Sequence, residues 1–547
     1  MGKKRKVGHE NDGMESKSEF VEDLVPVRLG KKSERGGVCL SSGDGVAYVD
    51  DSDVNVIIES STGTGKSSRV VVESGISVLQ SGQSAVFYDP KLELFRTTAP
   101  IAKKTGHDII VLNARNPMFS DTVNLLEPIV EDYRSGDPAR VSSAVDMMSD
   151  LVCTLIPSRN RNDPFWEESA QSVLLGLSFL VMSLAEDISE INLRSICALK
   201  DEIETNIALH HHILFKTDET IKSSLSGVIN NSETTRRCIL GCFSVMTRIY
   251  TFHGPLVRMI SNPGKDLYSI GEKPTAVYLV LPDEKSTYGS LMSAVIKMLY
   301  VVLTAKALAR PDGSLPVRVN FMLDEFSNIS PIPDFASMIS AGRSRNIRFI
   351  ICVQSRYQLI SKYGEEVAKT IISNCGIMMY MYSQDLDTLK EYAERAGNGP
   401  DGRPLLSVRD LQQLEPGQAL VLRRGHRPHV SYLAHMSAFG IVPEDVPLPR
   451  NDGADVPMMD LDEALERYTL KHDSEYEAMR RIRRNRLNLK NLVMEDLDED
   501  DEEFIVDISK ISLEDLARME EDETDIDLSS ISLEDLVRMV GAEGNED

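Results

Sequence analysis

Ser60-Ser61-Thr62-Gly63-Thr64-Gly65-Lys66-Ser67 is the stretch that decides the class of this 547-residue chain. Seven of its positions fit the phosphate-loop pattern G-x-x-x-x-G-K-[ST], and one departs: Ser60 stands where the first glycine belongs. Gly63 and Gly65 let backbone N–H groups turn toward phosphate oxygens. Lys66 can reach β and γ phosphates, Ser67 can ligate Mg²⁺, and a helix opening here adds its positive end. The nucleotide-contacting run is therefore Thr62, Gly63, Thr64, Gly65, Lys66, Ser67 and Ser68. A plain Ser/Gly turn is the alternative, and the flanks argue against it. The apolar run 54–60 reads as a strand, 66–80 as a helix, and 84–89 and 108–113 as further strands. Strand, Gly-rich turn, helix and strand make a βαβ unit, hence an α/β protein with a parallel sheet.

A second element is needed for chemistry. Val317-Arg-Val-Asn-Phe-Met-Leu-Asp-Glu-Phe326 is an apolar strand that ends in two carboxylates. A buried strand delivers its last side chains to the carboxyl edge of the sheet, where ligands bind in open α/β folds. Asp324 is expected to hold Mg²⁺ through water together with Ser67, and Glu325 to polarise the attacking water. The plain alternative is a strand end whose carboxylates face solvent. A third apolar run, 347–354, ends in Gln354, a polar group placed to sense the γ-phosphate. Before it lies Ala341-Gly-Arg-Ser-Arg-Asn346. Arg343 or Arg345 could reach a neighbouring subunit's nucleotide as an arginine finger, or equally lie on the surface or touch DNA phosphates. The catalytic set read from sequence is thus Glu325, Lys66, Gln354, Arg343 and Arg345, acting on ATP and Mg²⁺.

Working outward, residues 1–35 are polar and aperiodic and read as a flexible arm or an edge element. Residues 36–134 carry the first part of the nucleotide-binding domain. From 135 to 265 the strands vanish and apolar residues recur at helical spacing over 141–156, 167–184, 191–199 and 220–246, as in an all-helical insertion. Strands resume at 276–281, 319–323, 349–353, 376–381 and 419–422, giving a second nucleotide-binding part over 266–455. Residues 456–493 read as a basic helical segment holding Arg480, Arg481, Arg483, Arg484 and Arg486.

The net charge of −25 sits mostly in the tail, 494–547, which holds 22 acidic and 3 basic residues. That acidity says little about the ligand of the globular part, because a basic channel can coexist with an acidic far surface. Within the tail, Asp507-Ile-Ser-Lys-Ile-Ser-Leu-Glu-Asp-Leu-Ala-Arg-Met519 recurs as Asp527-Leu-Ser-Ser-Ile-Ser-Leu-Glu-Asp-Leu-Val-Arg-Met539. Ser512 and Ser532 read as helix caps, and Leu513, Leu516 and Met519 share a face with helical spacing. The tail is expected to be an acidic disordered extension that docks an adaptor or substrate protein. No run reaches the roughly 18 apolar residues of a membrane span. The run Lys3-Lys-Arg-Lys6 reads as a solvated end, and the seven cysteines as reduced packing residues.

Several segments together resemble the type IV coupling proteins, the TraG/TraD class of conjugative DNA-transfer ATPases. They are the phosphate loop, Tyr88-Asp-Pro-Lys-Leu-Glu-Leu94, Val123-Asn-Leu-Leu-Glu-Pro128, Asp163-Pro-Phe-Trp-Glu-Glu-Ser-Ala170 with the only tryptophan, Leu323-Asp-Glu-Phe326, the Ala341–Phe349 arginine segment, Cys352-Val-Gln-Ser355 and Ser383-Gln-Asp-Leu-Asp-Thr388. The resemblance implies a RecA-like motor with an inserted helical domain and a homo-hexameric ring. It implies partners in DNA, single-stranded with relaxase, and in type IV secretion channel components. Two departures stand out. Leu92 replaces the glycine common after Asp-Pro-Lys, and the family's usual N-terminal membrane helices are not seen, so either a separate membrane anchor subunit holds it, or it works from the cytosol, or the sequence is truncated; a cytoplasmic position at the inner face of the membrane is expected. A substrate-receptor platform with nucleotide-controlled assembly, or a cytosolic double-stranded DNA pump, are the rival functions. Intact Lys66, Asp324, Glu325 and Gln354 favour the motor over the platform.

Overall fold

Every residue of β4 (Asn55–Ser60), β5 (Ser84–Tyr88), β7 (Thr275–Val280), β8 (Val319–Leu323) and β9 (Ile347–Val353) is buried. Continuous apolar runs of this kind belong to a parallel sheet covered on both faces. The computed structural model describes residues 13–472 apart from 62, 159–162, 207, 208, 211, 214–216, 253, 283–287 and 454. The Lys3–Lys6 run, the Arg480–Arg486 cluster and the acidic repeats lie outside the described residues.

With β6 (Asp108–Asn113), β10 (Cys375–Tyr382), β11 (Gln418–Arg423) and β12 (His429–Tyr432), these strands form one nine-stranded sheet in the order β12-β11-β10-β4-β9-β8-β5-β7-β6. The seven strands from β10 to β6 run parallel, and β11 and β12 close one edge antiparallel. Alternate side chains go to opposite faces, as period 2 requires. Ile57, Val86, Phe321 and Phe349 join one core, while Val56, Ile58, Ala85, Phe87 and Met322 join the other.

The second core is covered by the helices Val72–Gln80 and Glu93–Lys104 and by a three-stranded sheet that the sequence reading missed. That sheet pairs β1 (Val25–Val27), β3 (Val46–Asp50) and β2 (Val38–Gly43). Part of the segment expected as an arm is therefore built in: Phe20, on the helix Lys17–Glu22, is buried and stacks on His429 at 4.1 Å.

The first core continues into a helical array over Pro138–Leu155, Phe165–Leu184, Leu193–Thr205, Glu219–Ile229, Glu233–Thr247 and Gly254–Ser261. The expected helix 220–246 is two helices, because Ser232 caps the second through the N–H of Thr235. Gly176 permits one close crossing: a Cβ there would lie 2.6 Å from Leu225 Cγ. After the sheet the chain returns to this array. Asn192 Nδ2 donates to the Pro457 carbonyl at 2.8 Å, and Tyr468 of the helix Leu461–His472 packs edge-on against His212.

One 20-residue helix, Gly289–Leu308, was not anticipated. Among the described residues it alone is long and apolar enough to cross a bilayer by length and composition, and most of it is buried inside the protein. It packs in the first core, between the sheet and the helix Pro138–Leu155.

Candidate phosphate and metal site

β4, β9, β8 and β5 are consecutive neighbours in the sheet and run parallel, so their carboxyl ends form one edge. Each end carries a group of chemical interest. β4 opens into the glycine loop, in which Gly63 and Gly65 take φ of +82° and +86°. These left-handed values are ones only glycine adopts freely. Ser60 keeps φ negative and ends β4, and its hydroxyl hydrogen bonds to Thr64 Oγ1, which also donates to the Ser61 carbonyl at 2.9 Å. The serine is accommodated because this position is still strand. Thr62 lies outside the described residues. A π-turn, Ser67–Val71, then leads into the helix Val72–Gln80, and Ser68 Oγ donates to the Gly65 carbonyl at 3.3 Å.

β8 brings Asp324 and Glu325 to the same edge. Ser67 Oγ donates to Asp324 Oδ2 at 2.5 Å. Lys66 Nζ lies 3.5 Å from Asp324 Oδ1 and 3.4 Å from Glu325 Oε1, and the three side chains are only 7%, 8% and 12% exposed. Burial alone would lower the Lys66 pKa, but the two carboxylates outweigh it and hold the ammonium charged, above its ordinary value. Glu325 has φ of +58°, which strains a residue with a Cβ. Asn328 secures it, with Nδ2 donating to Glu325 Oε2 at 2.7 Å and its N–H to the Glu325 carbonyl at 2.8 Å. A hydroxyl beside a carboxylate is a hard-oxygen donor set of the kind Mg²⁺ selects.

The half-buried Gln354 follows β9, the strand between β4 and β8, and so belongs to the same edge of the sheet. Arg343 and Arg345 lie elsewhere. They precede β9, at its amino end, where Arg343 Nε pairs with Asp53 Oδ2 at 2.7 Å and Arg345 Nη1 donates to the Ala341 carbonyl at 2.7 Å. A seven-residue strand, about 20 Å, separates them from Gln354. A wider open cleft of about 360 Å³, bordered by Arg35, Asp51, Gln83 and Arg318, also lies at that amino edge and holds none of the loop's groups.

Four residues of the site escaped the sequence reading. Asp89, just past β5, is 2% exposed and accepts from the Phe95 N–H at 2.7 Å. Burial lifts its carboxyl to about 7, with Asp324 adding to the effect. Lys91 Nζ lies 3.9 Å from Glu325 Oε1. Glu59, within β4, is fully buried and accepts from Arg356 Nε at 2.8 Å. Arg356 also pairs with Glu391 and lies 5.2 Å from the centroid of the Tyr392 ring. The signals were present: an acid that ends a strand, as Asp324 does, and a lone acid inside an apolar run.

Comparison with known proteins bears on the whole arrangement. The family model described as Type IV secretory system Conjugative DNA transfer matches residues 10–399. The type IV secretion system-coupling protein VirD4 of Bartonella quintana (strain Toulouse) is 23% identical over 329 residues, 57% of this chain and 48% of that protein. Protein VirD4 of Agrobacterium fabrum is 23% identical over 198 residues, 32% of this chain and 29% of that protein. The chain spans about half the length of the first of these curated relatives. Among solved structures, plasmid coupling protein TrwB in complex with ADP and Mg²⁺ superposes with a TM-score of 0.57 at 16% identity, over 82% of this chain and 99% of that one. TrwB in complex with the ATP analogue ADPNP gives 0.55 at 15%, over 83% and 99%. At that identity the likeness speaks for the fold alone, a parallel α/β sheet with a helical part.

Proposed function

The chain belongs to the type IV secretory system conjugative DNA transfer family, and from that premise we propose that it is an ATP-driven coupling motor delivering DNA–relaxase or protein substrates to a type IV secretion channel. One observation carries the reading: Lys66, Ser67, Asp324, Glu325 and Gln354 converge on one sheet edge. In this reading the sheet is the motor and the helices from 138 to 261 are its inserted domain.

ATP is the substrate and Mg²⁺ the metal. The N–H groups of the Gly63–Lys66 turn cradle phosphates, and Lys66 exchanges its carboxylate partners for phosphate oxygens. Ser67 and Asp324 would hold Mg²⁺, which supplies charge neutralisation. Glu325 accepts a proton from, and orients, the attacking water, and Gln354 contacts the γ-phosphate. Arg343 and Arg345 lie too far from their own chain's loop to act in cis, which supports action in trans within a homo-hexamer. The acidic repeats recruit an adaptor or substrate protein. The ring works at the inner face of the membrane.

The test is ATP hydrolysis with and without single-stranded DNA. Lys66→Ala should abolish turnover. Glu325→Gln should bind ATP but lose about 10³-fold or more in rate, because the amide cannot polarise water. Wild-type turnover in Glu325→Gln would remove the assignment, and nucleotide binding without any hydrolysis in the wild type would favour the receptor-platform reading.

A further inference from the structure

Lys297 is a buried cation outside the phosphate site. It sits on the helix Gly289–Leu308 with its side chain 5% exposed, between two carboxylates from different parts of the chain. Its Nζ lies 3.1 Å from Asp334 Oδ2 and 3.3 Å from Asp150 Oδ2. Asp334 closes the segment that begins at Asp324 and Glu325, whereas Asp150 belongs to the helix Pro138–Leu155 of the array.

The segment between Glu325 and Asp334 is braced rather than loose. Phe326 packs on Phe335 at 4.7 Å and on Tyr363 at 5.8 Å. The Ile332 N–H donates to Tyr363 Oη at 3.0 Å, and Ser293 Oγ donates to the Ser330 carbonyl at 2.7 Å. Both ends of the segment are left-handed non-glycine residues, Glu325 at φ +58° and Asp334 at φ +56°. Of the two, Glu325 is the strained one, since aspartate tolerates the left-handed region, and the contacts along the segment join both ends into one braced span. Beyond Asp150 the path is equally short. Cys153, one helical turn on, lies 3.8 Å from Gln171 Oε1, and Gln171 Nε2 donates to the Ile156 carbonyl at 2.7 Å. Gln171 is on the helix that starts with the Phe165–Trp166 pair.

We propose that Lys297 is a positioning residue that ties the Glu325–Asp334 segment to the helical array, so that occupation of the phosphate site is transmitted to the face carrying Trp166. This rests on the phosphate-site reading above. Only the lysine is buried, its partners Asp150 and Asp334 being 36% and 67% exposed, so the pairs add little net stability and serve instead to fix one geometry between two elements. Without the ammonium, Asp150 and Asp334 face each other as like charges and the two elements lose their common anchor.

The single tryptophan makes the test direct. The full chain is titrated with a non-hydrolysable ATP analogue and Mg²⁺, with binding followed by calorimetry and Trp166 by emission. The wild type should show a change in Trp166 emission on binding. Lys297→Met and Asp150→Asn should bind the analogue with unchanged affinity and lose that change by about fivefold or more, the lower end of typical coupling between sites. Lys297→Arg should restore part of it. Lys297→Met should also lower kcat without raising KM, while Asp150→Asn, which leaves Lys297 on Asp334, should keep basal hydrolysis. A Trp166 change that survives in Lys297→Met or Asp150→Asn overturns the inference, as does wild-type binding with no emission change. If Lys297→Met does not fold, Asp150→Asn decides alone. A wild type that fails to bind the analogue removes the phosphate-site reading itself and the inference with it.

Discussion

Arg356→Ala should destabilise the protein far more than an exposed ion pair would. Glu59 is fully buried, and Arg356, 9% exposed, is its cationic partner at 2.8 Å. Truncating one partner of a buried pair costs about 3–5 kcal/mol, because the other charge is left uncompensated. The second pair, with the partly exposed Glu391, adds at most about 1 kcal/mol. Loss of the contact with the Tyr392 ring adds about 1 kcal/mol. Glu59→Gln in the Arg356→Ala background should recover about 2 kcal/mol or more, since the amide removes the orphaned charge.

The pH dependence follows from the direction of the Glu59 shift. Burial raises its pKa above 4.5 even against the opposing pull of Arg356. A raised carboxyl contributes stability that is present below 4.5 and lost as pH climbs through the folded value. Removing Arg356 raises that value further, so the gap between wild type and Arg356→Ala should widen from pH 5 to pH 8. The assay is urea unfolding by far-UV circular dichroism, with midpoints converted by the wild-type slope. A gap under about 1 kcal/mol at pH 7.5, or one that does not change with pH, would refute the uncompensated-charge reasoning.

Three further outcomes are expected. An inactive Arg343→Ala/Arg345→Ala protein mixed with a Lys66→Ala protein should regain hydrolysis if arginines act in trans; no rescue in confirmed mixed oligomers argues against it. Because burial lifts Asp89 from 3.8 to about 7, its protonated form contributes stability below 3.8 that is lost as pH rises through 7. Thermal unfolding of Asp89→Asn should therefore gain on the wild type over that window and level off above it, and a flat difference would contradict the shift. Deleting residues 500–547, or replacing Leu516 and Leu536 with Asp, should leave basal hydrolysis intact or raised while recruitment of substrate protein in pull-down falls; undiminished recruitment would leave the tail as a solubilising extension.

What was legible in the sequence is what local chemistry dictates. The parallel strands announced themselves as unbroken apolar runs because both their faces are covered, and β8 was read to the residue. Asp324 and Glu325 could be placed because a buried strand must end at an edge. The three-stranded sheet was missed although its hairpin signal exists. Asp44 and Gly45 take φ of +52° and +78° between Gly43 and Val46, the two-residue turn that Asp-Gly favours. Gly289–Leu308 escaped because a helix apolar all round has no stripe to reveal its period. Glu59–Arg356 and Lys297–Asp150 were beyond reach, because each pairing is made by strand order and helix packing across more than a hundred residues of chain.

Among the described residues, the five non-glycine residues with positive φ also carry an argument about where this fold stores strain. Asp44, Asp334 and Asn346 are of types that tolerate the left-handed region, and Asp44 serves an ordinary hairpin. Leu92 at +60° and Glu325 at +58° are not. Both lie in the short turns after the strands β5 and β8, within three residues of a buried carboxylate at the same sheet edge, Asp89 and Asp324. Leu92 also explains a departure in the sequence. The backbone at Leu92 is left-handed, a conformation that the glycine expected there from the family resemblance would adopt without strain. A leucine bears that strain while packing partly into the second core. A left-handed residue with a side chain costs roughly 1–3 kcal/mol and persists only where its surroundings impose it. At Leu92 the cap made by Asp89 on the helix Glu93–Lys104 imposes it, and at Glu325 the bonds to Asn328 and Lys66 do. The Glu325 restraint includes the Lys66 arm, which on the phosphate-site proposal a phosphate would compete for. On the phosphate-site proposal, nucleotide binding would therefore draw Lys66 away from one of the two contacts that hold the strained Glu325 in place.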